Sequence, residues 1–467
     1  MYCGSCLHGN TLAAALRAAG HDSLLAPMYT PLRTDEENVS MARVAFGGIN
    51  VYLQQYSALF RHTPWLLDRL LDAPALLRFA TRRSASVRPE HLGALTVSML
   101  EGEDGRQRKE LEKLVQWLGR EVRPDVVHLN NVMLLGVARQ ITRRLGVPVV
   151  CSLSGEDAFL EKLPEPHRGR ALAILRRRAA EVAALVAMNR YYADFMAEYL
   201  AVPRARIHVV PPGLNLAGHG TRETAPGTGP FSGEKTSLAK GRPAKNMDLS
   251  PSALRIGYLA RVCPDKGLHQ LAAALRVLAE DPSLPLVCVE AAGYLDPADR
   301  SYLGEIQRQM ADCGLADRFR YVGELDRPGK IAFLQSCNLF ALPTVYRESK
   351  GLSVFEAWAN GVPAVLPAHG AFPEMIEDTG GGLLCPPDDT AALAEALKRM
   401  IRDPDLAAEC GRRAKQAVRE RYNAEVMARR MIGVYETVLS DCRIVEMGEN
   451  DEARSTNDER STKHQFL

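Results

Sequence analysis

The chain has 467 residues, a net charge of +2, 24% charged residues and 46% hydrophobic residues. That length suits two domains plus some disordered sequence, and that charge excludes bulk electrostatic attraction to nucleic acid. No stretch approaches the roughly 18 unbroken apolar residues of a membrane span, and the N-terminus lacks the basic-then-apolar pattern of a secretory signal, so the expected location is cytoplasmic.

The chain opens on MYCGSCLHGN, with Cys3 and Cys6 bracketing Gly4 and Ser5 and with His8 close behind. This could be a redox pair, half a metal site or a glycine loop. A thioredoxin-type pair follows a strand, whereas only Met1 and Tyr2 precede Cys3. A zinc site needs two further ligands, and the chain has no second CxxC. Most of the ten cysteines are scattered through apolar runs, as reduced, buried thiols are.

A helix, NTLAAALRAAG, follows, with Gly20 as its stop. Short apolar runs then recur at 23–27, 44–49, 125–130, 148–153, 184–189 and 207–212. In the second half they recur at 254–262, 285–295, 319–325, 338–345 and 363–369. Most lack period-two alternation, as strands buried on both faces do. Helical segments such as 268–280, 300–313, 329–337 and 389–403 separate most of them, which implies parallel sheets with right-handed crossovers. The stretch from Phe60 to Lys113 looks mainly helical and caps or extends the first domain.

His128 ends one run (DVVHLNN) and reads either as a cleft residue or as a core-edge histidine. Glu156 and Asp157 end another (SLSGED), where they could bind hydroxyls or cap the next helix. HRGRALAILRRRAAE (167–181) carries five arginines. It reads as a solvated face or as a peripheral contact with anionic membranes.

The polar, Gly/Pro-rich stretch 217–252 reads as a disordered linker, and 446–467 as a disordered tail. The expected organisation is a first domain over 1–216, the linker, a second domain over 253–422, a helix over 423–445 packing across both domains, and the tail. In such an arrangement the ligand site lies at the carboxyl ends of the strands, in the cleft.

Two segments of the second domain carry the clearest chemistry. In GYLARVCPDKG, a strand delivers Arg261 and Lys266 to the start of a helix, where cations and exposed N–H groups suit a diphosphate. In PTVYRESKGLSVFEAWANGVPAV, Glu348 and Glu356 lie eight apart around Gly351. The amides of Gly351, Leu352 and Ser353 would form an anion cradle. Glutamates beside it would accept sugar hydroxyls, so the fitting ligand is a nucleotide sugar. Each segment alone also reads as ordinary solvated or capping charge.

Together with VVPPGLN (209–215), YVGEL (321–325) and HGAFPEMIE (369–377), these segments resemble the retaining GT-B glycosyltransferases of family 4, in their order and at compatible spacing. The resemblance covers nearly all of the second domain and is looser across the first. It implies an α/β fold of two doubly wound, Rossmann-like domains facing across a cleft, with the first strand of the N-terminal domain missing. That strand would lie upstream of an internal Met1. The resemblance also implies transfer of a sugar from a UDP-, GDP- or ADP-sugar to a hydroxyl acceptor, with no metal and no other cofactor. Arg261 and Lys266 would bind the diphosphate, Glu348 the donor sugar, Glu356 the ribose, and backbone at Gly323, Glu324 and Leu325 the base. Counting back from Gly20 puts Gly4 on the family's loop glycine, close to the donor phosphate, and His8 on its helix histidine. Relatives often have His-x-His where this chain has His128 and Asn130. Where the family has an aromatic residue before the cradle glycine, this chain has Lys350, a departure that bears on donor contacts. The alternatives are a non-catalytic nucleotide-sugar-binding protein or another GT-B enzyme, such as an epimerase or a phosphorylase. A phosphorylase would need a lysine to anchor pyridoxal phosphate, and none stands out.

Overall fold

The structure is a computed structural model and describes residues 4–29, 31–42, 44–46, 51, 53–55, 92–220 and 253–442. Two parallel sheets dominate it. In the first, β1 (Val127–Leu129), β2 (Val149–Ser152), β3 (Ala184–Ala187) and β4 (Ile207–Val209) lie in sequential order. The second has the order β10-β9-β8-β5-β6-β7, built from β5 (Leu254–Leu259), β6 (Val287–Ala292), β7 (Phe319–Gly323), β8 (Leu339–Ala341), β9 (Ala364–Pro367) and β10 (Gly382–Cys385). β2, β3, β6, β8 and β9 are buried along their whole length. Their unbroken apolar runs are the consequence of helices covering both faces. Glu290 is the polar exception on β6, and it pairs with Arg320, its register partner on β7, at 2.6 Å. The α/β reading, with two Rossmann-like lobes, holds.

Two expected strands are absent from the described residues. Leu25 forms only an isolated bridge to Ser40, and Leu24 is exposed. Carbonyls from 25 to 28 accept three hydrogen bonds from the 41–46 segment, but Pro27 has no N–H to return and the ladder stops. Of the run 44–49, residues 44–46 have no strand geometry and 47–49 lie outside the described residues. The sequence reading also missed β10, a partly exposed edge strand of four residues that begins on the last of three consecutive glycines.

The expected linker is partly folded. Residues 217–220 dock on the second lobe, where buried His219 contacts the Asn360 side chain at 2.9 Å and the Gly220 N–H donates to Asn360 Oδ1 at 3.0 Å. An imidazole and glycine backbone carry this contact, which an apolar count does not register. The rest of the linker, the tail, Cys3 and residues 60–91 lie outside the described residues. From 92 to 117 the chain is helical, as expected, over Gly93–Glu101 and Arg108–Trp117.

The chain crosses between lobes twice, and the two crossings are bonded together. Leu214 N–H donates to the Tyr422 carbonyl at 2.8 Å, and Ala424 N–H donates to the Leu214 carbonyl at 2.9 Å. The helix over 424–442 then packs Met427, Ala428, Met431, Val434 and Val438 against Leu12, Leu16, Val150 and Val186 of the first lobe. On the arginine-rich helix His167–Ala179, buried Arg178 reaches Glu103 and Glu181, each at 3.2 Å. Arg168 and Arg170 pair with acids, and Arg176 donates to the Tyr199 carbonyl. Most of its charge is therefore neutralised within the chain, which favours the solvated-face reading. Among the described residues no helix is long and apolar enough to cross a membrane.

Candidate functional site

The second sheet changes direction between β5 and β8. β5 leads outward to β6 and β7, while β8 leads to β9 and β10 on the other side. A crevice opens at the carboxyl ends of such a pair of strands. The two loops that leave them, 260–267 and 342–351, are the segments singled out by their chemistry.

Gly267 lets these loops touch. Its φ is 73°, and a Cβ there would sit 1.6 Å from the Pro343 carbonyl oxygen. Val345 N–H also donates to the Asp265 carbonyl at 3.0 Å. The contact lays Lys266 on Glu348, with Nζ 2.6 Å from Oε2. Tyr346 OH donates to the same oxygen at 2.7 Å, and Lys266 also donates to the phenol at 2.5 Å. The other oxygen, Oε1, accepts from the N–H groups of Ser349 and Lys350, each at 3.1 Å. Burial alone would raise the carboxyl's pKa, but the Lys266 charge and these hydrogen bonds bring it down to about 2. The carboxylate stays ionised and takes four hydrogen bonds. In this arrangement Glu348, expected to meet hydroxyls of the donor sugar, anchors Lys266.

Arg261 lies nearby and is exposed. Its carbonyl accepts from Tyr258 OH at 3.2 Å and its Nε approaches Cys263 Sγ at 3.4 Å. Lys266 Nζ lies 4.6 Å from the centroid of the Tyr346 ring, and the charge of Arg261 acts on the same phenol. Gly351, with φ 64°, caps the Leu352–Ala359 helix without any side-chain hydrogen bond, as an amide cradle at Leu352 and Ser353 requires. A Cβ on Gly351 would lie 2.6 Å from Met375 Cε. β7 ends at Gly323, and Glu324 and Leu325 lead from it into the Arg327–Ser336 helix, which Asp326 caps.

Glu356 is not joined to this cluster by any described contact. Its Oε1 is held by Lys330, which also binds Asp35 Oδ2 from the first lobe. Burial would lower the Lys330 pKa, but the two carboxylates raise it instead. Glu36, next in the chain, pairs with Arg327 at 3.3 Å and accepts from Thr11 at 2.8 Å. Glu356 shares a small interlobe crevice with His8, Glu36, Asn215, His219 and Arg327.

In the first lobe, Gly4 lies within the helix Gly4–Ala18 and not in a loop. The segment carries no proline, and helical geometry extends through it to His8 and beyond. A Cβ on Gly4 would still lie only 3.4 Å from Leu352 Cδ1, so it faces the cradle. His8 is buried, and burial followed by the nearby charges of Lys350 and His128 lowers its pKa to about 3. His128 bonds Tyr435 OH at 2.7 Å and Ser152 Oγ at 2.8 Å. With both ring nitrogens engaged, it fits the core-edge alternative of the two sequence readings. Glu156 caps nothing; its Oε2 accepts from Ser154 N–H at 2.7 Å. Asp157 accepts from Tyr192 OH at 2.6 Å. Sequence reasoning missed Tyr346, Lys330, Asp35 and Ser5. Of these only Tyr346, two residues before Glu348, had a signal in its spacing.

The sequence pattern of the family described as Glycosyl transferases group 1 matches residues 248–417, and that of Glycosyltransferase Family 4 matches residues 80–217. A phosphatidyl-myo-inositol mannosyltransferase of Mycobacterium leprae is 37% identical over 127 residues, 27% of this chain and 34% of that enzyme. A D-inositol 3-phosphate glycosyltransferase of Streptomyces griseus is 28% identical over 341 residues, 70% of each chain. Among solved structures, HepE of Anabaena in complex with UDP superposes with a TM-score of 0.58 at 17% identity, covering 89% of this chain and 99% of that one. Sucrose-phosphate synthase of Thermosynechococcus elongatus gives 0.55 at 20% identity, covering 71% and 79%.

Proposed function

Because the chain belongs to the family 4 glycosyltransferases of the GT-B fold, we propose that it transfers a sugar, with retention, from a nucleoside diphosphate to a hydroxyl acceptor. The observation that carries this reading is the Lys266–Glu348 pair at the β5/β8 switch point, flanked by Arg261 and by the uncapped helix at Gly351. Arg261 and Lys266 hold the diphosphate and stabilise its charge as the anomeric C–O bond breaks. The acceptor oxygen attacks from the same face, and its proton passes to the departing phosphate. The protein's contribution is positioning and fixed positive charge. Glu348 keeps Lys266 in place, and Glu356, fixed by Lys330 through one oxygen, presents the other to the ribose. Backbone from Gly323 to Leu325 meets the base. No step calls on a metal.

A panel of UDP-, GDP- and ADP-sugars, with binding and nucleotide release measured on the full chain, tests the proposal. The expected result is acceptor-dependent release from one donor with the anomeric configuration kept. Lys266→Met should lower the rate on the order of 10²–10³-fold. Binding of a donor without turnover against any hydroxyl acceptor would instead favour a nucleotide-sugar sensor, a reading supported by the fully engaged carboxylate of Glu348. Absence of binding by every donor sinks both.

A further inference from the structure

Lys350 is the departure from the family pattern, and its side chain leaves its own lobe. Its ammonium donates to Ser5 Oγ, 2.9 Å away across the gap, in the first described turn of the Gly4–Ala18 helix. A Cβ on Gly4 would lie 4.0 Å from the same nitrogen. The lysine is half-buried, and among the described residues its ammonium has no ion-pair partner. A half-buried ammonium that spans the gap and is hydrogen-bonded there to a hydroxyl keeps donors for an anionic ligand.

Two more polar atoms near it are buried and unpartnered: His8 Nδ1 and Glu156 Oε1. Both residues are more than nine-tenths buried, at 6% and 8% exposure. Both also feel the charge of Lys350, which lowers the pKa of each. Burial outweighs that effect on Glu156 and lifts its carboxyl to about 7, so it carries a proton much of the time near neutrality. His8 is uncharged at that pH. The cluster therefore offers one fixed cation together with groups able to donate: the remaining N–H bonds of Lys350, the Ser5 hydroxyl, a His8 N–H in the right tautomer and the protonated Glu156.

We propose that Lys350 of one lobe, with Ser5 and His8 of the other, grips an oxyanion of the bound donor and so closes the gap over it. The inference rests on the donor reading given above. The oxyanion is either a phosphate of the nucleotide or a carboxylate on the transferred sugar, as in a uronic acid. Both are planar or tetrahedral oxygen groups that an ammonium and two neutral donors can satisfy. In either case Lys350 is a specificity-determining residue absent from the aromatic version of the site.

Calorimetric titration of the full chain with inorganic pyrophosphate, UDP, UDP-glucose and UDP-glucuronate tests this, using wild type, Lys350→Met and Lys350→Arg. Lys350→Met should weaken binding tenfold or more and Lys350→Arg should largely restore it, with melting curves confirming that each variant is folded. Equal losses for all four ligands assign the oxyanion to phosphate; a loss confined to UDP-glucuronate assigns it to the sugar. Unchanged affinity of Lys350→Met for all four overturns the inference and leaves the donor reading standing. Pyrophosphate binding that depends on Lys350, without binding of any UDP-, GDP- or ADP-sugar, supports the oxyanion grip and overturns the donor reading. A wild type that binds none of the four and no GDP- or ADP-sugar overturns both. Should Lys350→Met fail to fold, Ser5→Ala read against the same ligands decides in its place, with a weaker expected loss of about threefold.

Discussion

Gly267 is where the two chemical loops approach most closely. A methyl group there meets the Pro343 carbonyl, and the backbone is already left-handed. Gly267→Ala should cost ~2 kcal/mol or more in urea unfolding and should also weaken nucleotide binding, because Lys266 moves with the loop. Glu156 supplies a pH test. Its carboxyl sits near 7 when folded against an ordinary 4.5. Between those values the unfolded chain releases a proton that the folded chain keeps, so stability falls as pH rises through that window. Glu156→Gln cannot ionise and its carbonyl can still accept from Ser154 N–H. It should therefore match wild type near pH 4.5 and exceed it by on the order of 3 kcal/mol at pH 8, read from denaturant midpoints. His8 and His128 act in the opposite direction at lower pH. Their pKa values of about 3 and about 4 mean that the unfolded chain takes up protons first, and stability should fall as pH drops below 6.5.

The helix over 424–442 has an inward stripe, and its Met431 is fully buried against the first lobe. Met431→Ala should cost about 2–4 kcal/mol by leaving a cavity, measured by the same unfolding. The helix Arg190–Leu200 has a cap that comes from elsewhere. Beyond its own Asn189, the N–H groups of Arg190 and Tyr191 donate to the two oxygens of Glu374 in the other lobe, at 2.9 and 2.8 Å. Such contacts explain what the sequence could and could not disclose. Strands such as β3 were legible because burial on both faces writes itself as a continuous apolar run. The Lys266 and Glu348 loops were legible because their spacing and glycines carry chemistry. Lys330, one cation on an ordinary helical face, acquires meaning only when Asp35 is brought to it from about 300 residues away in sequence. Glu348 was placed in the right loop, but its four donors are Lys266, two backbone N–H groups and Tyr346, and the orientation of none of these is written in the spacing.

The lobes are held shut by several polar contacts: Asn189 to the Ser349 carbonyl at 2.7 Å, Lys162 to Asp265 at 2.5 Å, and the Asp35–Lys330–Glu356 cluster. Removing the central cation of that buried cluster leaves two carboxylates facing one another. Lys330→Met should lose about 3 kcal/mol or more, and adding Asp35→Asn should recover part of that loss, a coupling that a double-mutant cycle in denaturant would expose. The exposed Lys162–Asp265 pair should contribute far less and fade with salt. Where the chain passes between lobes, Leu214 is sewn to residues 422 and 424, and a Cβ on Gly213 would run into the Asn423 carbonyl at 2.6 Å. Two strings tied at one knot behave as a door on one pin: they permit swinging and resist sliding or twisting. Entry and exit of any guest would then be confined to the free rim opposite the pin, and bulk added at Gly213 would jam the door instead of loosening it.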